Sequence, residues 1–140
     1  MSFNLKSELP SYFDFYVEFP FCKVAYRKGG ILITEFYDNR IITAKECEQL
    51  VQLVSTNFPN EKLPILITAG RNTYFDPSAR AYSASDVGTK HSLAEAYVVD
   101  GFVHHFIGWM YLLFNRPKVR TKLFLKKDKA IEWLQGVSTN

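Results

Sequence analysis

The chain has 140 residues, a length that fits one domain. Apolar residues make up 47% of it, including twelve Phe and eight Tyr, which is enough for a packed core and excludes an intrinsically disordered chain. The formal net charge of +3 is too small to indicate a nucleic-acid partner, and we expect none.

Cysteine usage and the N-terminus bear on the compartment. The two cysteines, Cys22 and Cys47, are far apart and form no paired-spacing motif, so we expect free thiols in a reducing environment. Residues 1–8 lack the basic and apolar regions of a signal peptide. The longest apolar stretch, residues 102–114, is too short to span a bilayer. The sequence therefore predicts a cytoplasmic protein without a transmembrane segment.

Three strands are predicted at the start of the chain, over residues 12–19, 21–28 and 31–37. Each run is rich in aromatic and β-branched side chains, and Pro20 separates the first two. Gly29 and Gly30 predict a two-residue hairpin turn, because glycine accepts the positive φ that such turns require. The chain is therefore expected to open with antiparallel pairing.

Helices and strands are predicted to alternate from residue 43 onwards. Thr43 and Glu46 form a capping box at the start of a helix that ends near Asn57. Asp76 and Pro77 predict a second helix start, with an N-cap followed by proline at the first helical position. The other expected elements are strands over residues 63–69, 94–99 and 119–125, and helices over residues 77–87, 101–115 and 127–135.

This order predicts an α/β fold with a mixed sheet. An N-terminal antiparallel hairpin precedes a parallel βαβαβα unit, and the helices pack on the sheet. No linker or low-complexity stretch interrupts the chain, so residues 1–140 are expected to form one domain, with residues 1–29 as its N-terminal strands.

The element order and the C-terminal sequence resemble a known family. The chain has KLFL at residues 122–125 and AIEWL at residues 130–134. Together with the N-terminal hairpin and the alternating elements, these features resemble the uncharacterised bacterial SpoIIAA-like branch of the STAS superfamily over residues 30–135. The resemblance implies a SpoIIAA-like (STAS) fold and a regulatory role in protein interaction.

The resemblance also implies a site at the start of the second helix. Anti-sigma factor antagonists of the wider superfamily are switched by phosphorylation of a Ser that follows an Asp at this place. By that resemblance Ser78 is the phosphoacceptor and Asp76 the preceding acid, and Arg80 belongs to the same partner surface. Pro77 replaces the usual Ser, and no Gly follows Ser78. The alternative is an ordinary exposed serine in a first helical turn.

A polar loop precedes that helix and follows the strand at residues 63–69. Arg71, Asn72 and Thr73 lie where open α/β sheets form ligand crevices, so they are candidates for binding an anion. The alternative is a solvated loop that is polar for solubility alone.

The helix at residues 101–115 carries more aromatic residues than one buried face needs. Successive residues on a helix diverge by about 100°, so Trp109 and Tyr111 point about 200° apart and at least one is expected to face outward. We predict an interface with a second subunit, a ligand or a membrane surface. Its candidate residues are Phe102, Phe106, Trp109, Met110 and Tyr111.

A basic stripe follows this helix. Lys118, Arg120 and Lys122 alternate along a predicted strand and could contact anionic lipid or an acidic partner. The alternative is edge-strand protection, because lysines discourage unwanted strand pairing.

Motifs for catalysis and metal binding do not occur in the sequence. His104 and His105 are adjacent and diverge by about 100° on a helix, so they cannot share one metal. There is no nucleophile elbow, glycine-rich phosphate loop or helical His-Glu zinc motif. We therefore predict a non-enzymatic interaction module that uses no cofactor or metal, binds a protein partner and forms homodimers. The alternative is a carrier of a small apolar or lipid-like ligand under the aromatic helix.

Overall fold

The computed structural model describes residues 13–138, except for the side chains of Phe102, Val103, His105, Phe106 and Ser138. The described residues form eight strands: β1 (Phe15–Glu18), β2 (Cys22–Tyr26), β3 (Leu32–Phe36), β4 (Ile41–Ile42), β5 (Leu63–Thr68), β6 (Tyr74–Phe75), β7 (Ser92–Val98) and β8 (Arg120–Phe124). Four α-helices accompany them in these residues: α1 (Ala44–Asn57), α2 (Pro77–Ala84), α3 (Phe102–Met110) and α4 (Lys127–Ser138).

Six strands form one sheet in the order β1-β2-β3-β5-β7-β8. The first three strands pair antiparallel, and β3, β5, β7 and β8 pair parallel. This arrangement confirms the predicted α/β fold with a mixed sheet. It also places the carboxyl ends of the four parallel strands along one edge, where ligand crevices form in open α/β sheets.

The turn between β2 and β3 is longer than the predicted two-residue hairpin. Tyr26 pairs with Leu32, so residues 27–31 form the connection. The Gly30 amide donates to the Arg27 carbonyl at 2.9 Å, and Gly29 takes a φ of +82°. Gly29 supplies the positive φ at the third position of this turn. The prediction had instead placed Gly29 and Gly30 together in a two-residue turn.

Helices cover both faces of the sheet. On one face α1 and α2 pack against side chains of β2, β3 and β5, including Val24, Leu32 and Ile67. On the other face α4 packs Ala130 and Leu134 against small residues of the central strands. Small side chains let this helix approach closely, because β7 presents Ala94 and Ala96 to it. Glu95 and Tyr97, which alternate with these alanines, face the α1–α2 layer.

Helix ends follow local chemistry, with two differences from the prediction. The Thr43–Glu46 capping box is present, and the Asp76 carboxylate accepts the Ala79 N–H at 2.9 Å. Helix α2 ends at Ala84 and not at residue 87, because Ser85 becomes extended and its hydroxyl donates to the Tyr82 carbonyl at 2.6 Å. Helix α4 continues through Gly136 to Ser138, beyond the predicted end.

Helix α3 continues into a π-helical turn over Tyr111–Asn115, so the predicted extent of this helix is confirmed. Arg116 ends the turn with a left-handed φ of +48°. A π-helical turn adds a residue per turn and rotates the side chains that follow, and such turns are frequent at functional sites. Here the turn begins at Tyr111, whose side chain is buried.

The sequence did not predict the small parallel sheet formed by β4 and β6. Ile41 pairs with Tyr74, and Ile42 pairs with Phe75. Ile42 is buried, and the Phe75 ring packs edge-on against the ring of Phe36 with centroids 5.0 Å apart. This sheet joins the chain before α1 to the chain before α2, which brings the two helix starts together.

Candidate functional site

The loops after β3 and β5 bind each other at the carboxyl edge of the sheet. The Asp38 carboxylate accepts the Arg71 N–H at 2.7 Å, and the Asn72 amide donates to the Asn39 side chain at 3.1 Å. Thr73 is 1% exposed and donates to the Tyr37 carbonyl, so it cannot reach an external anion. Arg71 and Asn72 are exposed, but the Asp38 carboxylate already occupies the backbone donor of Arg71. Anion binding by this loop stays a prediction.

The starts of α1 and α2 meet at the exposed Ser78. Its hydroxyl accepts the Ala44 N–H at 3.0 Å and donates to the Asp76 carboxylate at 2.6 Å. The hydrogen bond that the Ser78 hydroxyl donates, followed by the one from the Ala79 N–H, lowers the pKa of Asp76 below its ordinary value. Helix N-termini carry partial positive charge, so two of them act on this one hydroxyl.

Arg80 has a structural role beside this site. It is half-buried, and its guanidinium donates to the Phe75 carbonyl at the end of β6. That bond ties α2 to the small sheet. Ser78 is therefore the most exposed of the three residues predicted to form the partner surface, which also include Asp76 and Arg80.

An exposed apolar pair lies on the two short strands that lead into the helix starts joined by Ser78. Ile41 is 57% exposed and Tyr74 is 41% exposed, and the two residues are neighbours across the β4–β6 pairing. We call Ile41, Tyr74 and Ser78 the β4–β6 surface. The sequence analysis missed the pair because each strand has two residues and shows no periodicity. An available signal was the β-branched Ile41-Ile42 pair directly before the capping box.

Helix α3 and its π-helical turn expose apolar side chains to solvent. Trp109 is 50% exposed, Leu113 49% and Phe114 68%, and Met110 is also exposed. Tyr111 is buried, so its assignment to the predicted interface is wrong: the helix turns Trp109 outward and Tyr111 inward. The predicted interface residues Phe102 and Phe106 have side chains that lie outside the described residues.

A cavity of about 50 Å³ lies beneath α3, between that helix, α2 and the sheet. Its walls include Val99, Ile107, Tyr111 and Leu123. The Tyr111 hydroxyl is buried and makes no hydrogen bond of ordinary length with a described residue. Drug-sized ligands occupy pockets of about 300–1,000 Å³, so this cavity does not hold a lipid chain unless α3 moves.

A second cavity of about 90 Å³ lies between α1, α2 and the sheet, and Glu95 lines it. The Glu95 side chain is buried in the middle of β7. Ser92 donates to one carboxylate oxygen at 2.7 Å, and the Tyr97 hydroxyl donates to the other at 3.0 Å. The sequence analysis missed this residue. Its signal was a charged residue within a run that otherwise predicts a buried strand.

Burial dominates the electrostatics of this cavity. It raises the pKa of Glu95 to about 6, although the bonds from Ser92 and Tyr97 favour the ionised form. Burial also raises the pKa of Cys47 to about 11 and the pKa of Tyr97 well above its ordinary value. At neutral pH the thiol and the phenol are therefore neutral, and Glu95 carries negative charge.

The histidines do not assemble a metal site within residues 13–138. The ring of His91 is buried between the Ser55 hydroxyl, 2.8 Å from Nε2, and the Glu61 carbonyl, 3.3 Å from Nδ1. His104 lines the cavity beneath α3, and the side chain of His105 lies outside the described residues. The described part of the chain contains no group of three or more His, Cys, Asp or Glu residues that could hold a metal ion.

Within the described residues, no helix is both long enough and apolar enough to cross a membrane.

Comparisons with known proteins agree with the fold. A crystal structure of an uncharacterized protein of the DUF3478 family from Shewanella loihica PV-4, described as having a SpoIIAA-like fold, superposes with a TM-score of 0.55. The two sequences are 17% identical, and the match covers 81% of this chain and 91% of that one. At this identity the likeness establishes the fold alone, which is SpoIIAA-like as predicted.

Sequence comparisons give the family. No curated protein matches the chain significantly. A family model described as "Domain of unknown function (DUF7793)" matches residues 25–138, which is most of the chain. The predicted membership of an uncharacterised family is thus confirmed, and the chain belongs to the DUF7793 family.

Proposed function

We propose that this chain is a non-enzymatic interaction module that binds a protein partner through the β4–β6 surface. The observation that carries the proposal is the exposed Ile41–Tyr74 pair, on the strands that lead to the two helix starts joined by Ser78. Protein interfaces concentrate their binding energy in a few aromatic and apolar anchors surrounded by polar residues. Tyr74 and Ile41 supply such anchors, and the exposed Arg40 and Arg71 supply a polar rim.

Charge at Ser78 would regulate this surface. A phosphate there would lie near two helix N-termini, which favour negative charge. It would also lie against the Asp76 carboxylate, which is 2.6 Å from the hydroxyl and caps α2. A negative group at Ser78 therefore competes with the Asp76 cap and changes the shape and the charge of the surface that a partner contacts.

The one Ser–His pair among the described side-chain contacts lies at a position unsuited to catalysis, which supports a non-enzymatic role. Ser55 and His91 have the hydrogen-bond distance of a nucleophile and its base. However, Ser55 lies in the last turn of α1, where the backbone amides are bonded within the helix and cannot stabilise an oxyanion. The pair instead ties the end of α1 to the chain before β7.

Site-specific photo-cross-linking in host cells tests the partner surface. Tyr74 is replaced by the photoreactive amino acid benzoylphenylalanine, and captured proteins are identified by mass spectrometry. We expect one defined protein to be captured, and we expect Ile41→Ser and Ser78→Asp, added to that variant, each to reduce its yield.

The matched control carries the same cross-linker at Val87. This residue is 55% exposed and lies beyond the other end of α2. Capture of the same proteins at both positions, or of none at Tyr74, would refute the proposed surface. Circular dichroism of each variant separates lost binding from lost fold.

Self-association through α3 is a second candidate, supported by the exposed Trp109, Leu113 and Phe114. A homodimer predicts that Phe114→Ser shifts the sedimentation coefficient to that of a monomer. If the wild type is already monomeric over the whole concentration range, the homodimer is refuted.

Peripheral contact with a membrane surface is tested by cosedimentation with anionic vesicles. Arg116 and Lys118 are exposed beside Phe114, so basic and apolar side chains are available together for such a contact.

Carriage of a small apolar or lipid-like ligand is the other alternative. It is supported by the apolar cavity beneath α3, but that cavity of about 50 Å³ must enlarge to hold a lipid. Native mass spectrometry of protein purified from its host tests this function. A co-purified lipid supports it, and an empty protein counts against it.

A further inference from the structure

The buried carboxylate of Glu95 has no cationic partner within the described residues. Its hydrogen-bond donors are the hydroxyl groups of Ser92 and Tyr97, and both residues belong to its own strand. The effective penalty for burying an ion in a protein is several kcal/mol, and hydroxyl donors offset it only in part. A carboxylate left in this state beside a cavity is a candidate binding site, because natural interiors rarely leave a charge uncompensated.

The cavity that Glu95 lines selects the chemistry of a ligand. Most of its other walls are aromatic or aliphatic, including Phe75, Tyr82, Leu50 and Val51, and a minority are polar, such as Ser83. An anion is excluded by the charge of Glu95, and a purely apolar molecule leaves that charge uncompensated. An ammonium group has three donors for the free lone pairs of the carboxylate, and aromatic rings also attract cations.

The volume limits the size of the ligand. A cavity of 150 Å³ in another protein holds benzene, which has six heavy atoms, so about 90 Å³ holds roughly four. A primary amine with a three-carbon chain has this size. Its ammonium group would pair with Glu95, and its carbons would contact the aliphatic walls.

We propose that the cavity between α1, α2 and β7 is a binding site for a small primary amine, with its ammonium group paired to Glu95. The site is separate from the β4–β6 surface, so it goes beyond the proposed function and does not depend on it.

The neighbouring elements place titratable groups that line this cavity or interact electrostatically with Glu95. These groups are Cys47 on α1, Tyr82 on α2, Tyr97 on β7, Tyr111 on the π-helical turn and His91 before β7. Burial raises the pKa values of Cys47 and the three tyrosines, so these groups stay neutral near pH 7. Amine affinity should therefore fall as the pH drops through about 6, where Glu95 takes up a proton.

Calorimetry and two-dimensional NMR with n-propylamine test the site. We expect saturable binding near neutral pH, with chemical-shift changes at Ala96 and Ser83. 1-Propanol and propionate, which have the same size without the positive charge, should bind at least about tenfold more weakly. Affinity for n-propylamine should also decrease at about pH 5, below the Glu95 pKa of about 6.

Glu95→Gln should reduce propylamine affinity by at least about tenfold, because it removes the charge and keeps the shape. Glu35→Gln is the matched control, since Glu35 lies on β3 and faces the other side of the sheet. Absence of propylamine binding, equal binding of 1-propanol, or unchanged binding by Glu95→Gln would each overturn the proposal. Measurements on the wild type suffice for the first two outcomes, so they do not depend on the folding of a variant.

Discussion

The Ser78 hydroxyl accepts the backbone N–H of Ala44 at 3.0 Å, and this bond joins the first turns of two helices. Ala44 begins α1, so its N–H is one of the donors that the helix itself cannot satisfy. Ser78 lies 34 residues later, in the first turn of α2. The Ser78 side chain therefore binds an unsatisfied N–H at the start of α1 and also donates to Asp76, the N-cap of its own helix.

Ser78→Ala should lower the free energy of unfolding by about 1 kcal/mol, because the Ala44 N–H loses its protein acceptor. The measurement is chemical denaturation followed by circular dichroism. Ser78→Thr keeps the hydroxyl and should retain most of the stability. If the alanine and threonine variants are equally stable, the hydroxyl does not join the helices as described.

Asp76 should stabilise the fold in a pH-dependent way. Hydrogen bonds hold its native pKa below the ordinary value of 3.8, so its contribution is complete above that pH and is lost as the pH falls through the lower native value. The difference in melting temperature between wild type and Asp76→Ala should therefore shrink in strong acid. Asp76→Asn caps a helix without titrating, so its difference from Asp76→Ala should stay constant.

The main sheet was predictable because its strands carry local signals. Runs of apolar, β-branched residues bounded by Pro or Gly marked β2, β3 and β5, and capping chemistry at Thr43 and Asp76 marked the helix starts. The helix between β5 and β7 ended three residues early because Ser85 bonds back to Tyr82, an interaction that periodicity does not encode. The pairing of Ile41 with Tyr74 joins residues far apart in the chain, and no local pattern predicts it.

The sequence predicted the candidate site correctly only where the place of a residue in its element determines whether its side chain is exposed. Ser78 follows a proline at the start of a helix, and the structure exposes it. Thr73 has the same polar character, yet it is buried because the carbonyl of Tyr37 and the amide of Arg40 bind its hydroxyl. Such contacts depend on how β3 and β5 align, so the sequence alone cannot distinguish an exposed loop residue from a buried one.

Two glycines should respond in opposite ways to replacement by alanine. A Cβ on Gly88 would lie 2.1 Å from the Tyr82 carbonyl oxygen, so the backbone must shift, and Gly88→Ala should lose about 1–3 kcal/mol of stability. A Cβ on Gly136, within α4, meets nothing within 4 Å. Gly136→Ala should gain roughly 0.5–1 kcal/mol from helix propensity.

Thermal unfolding of the two alanine variants beside wild type measures both effects. If Gly88→Ala matches wild type, the close approach between the chain after α2 and the Tyr82 carbonyl is absent in solution. A loss of stability in Gly136→Ala would mean that α4 ends before Gly136, as the sequence analysis had predicted.

Glu95 should make the protein less stable as the pH rises from about 4.5 to about 6. The native pKa of about 6 exceeds the ordinary value of 4.5, so the folded state holds the proton more tightly than the unfolded state does. The full penalty above pH 6 is about 2 kcal/mol, from a difference of about 1.5 pKa units. Glu95→Gln should therefore be more stable than wild type at about pH 8. The gain should be somewhat smaller than the full penalty, because the amide oxygen can accept one of the two hydroxyl bonds and the NH₂ group cannot accept the other. At about pH 4, where wild-type Glu95 is protonated, the advantage should disappear. Urea unfolding of both proteins across this pH range measures it, and an advantage that does not change with pH would show that the Glu95 carboxyl does not titrate as a buried group.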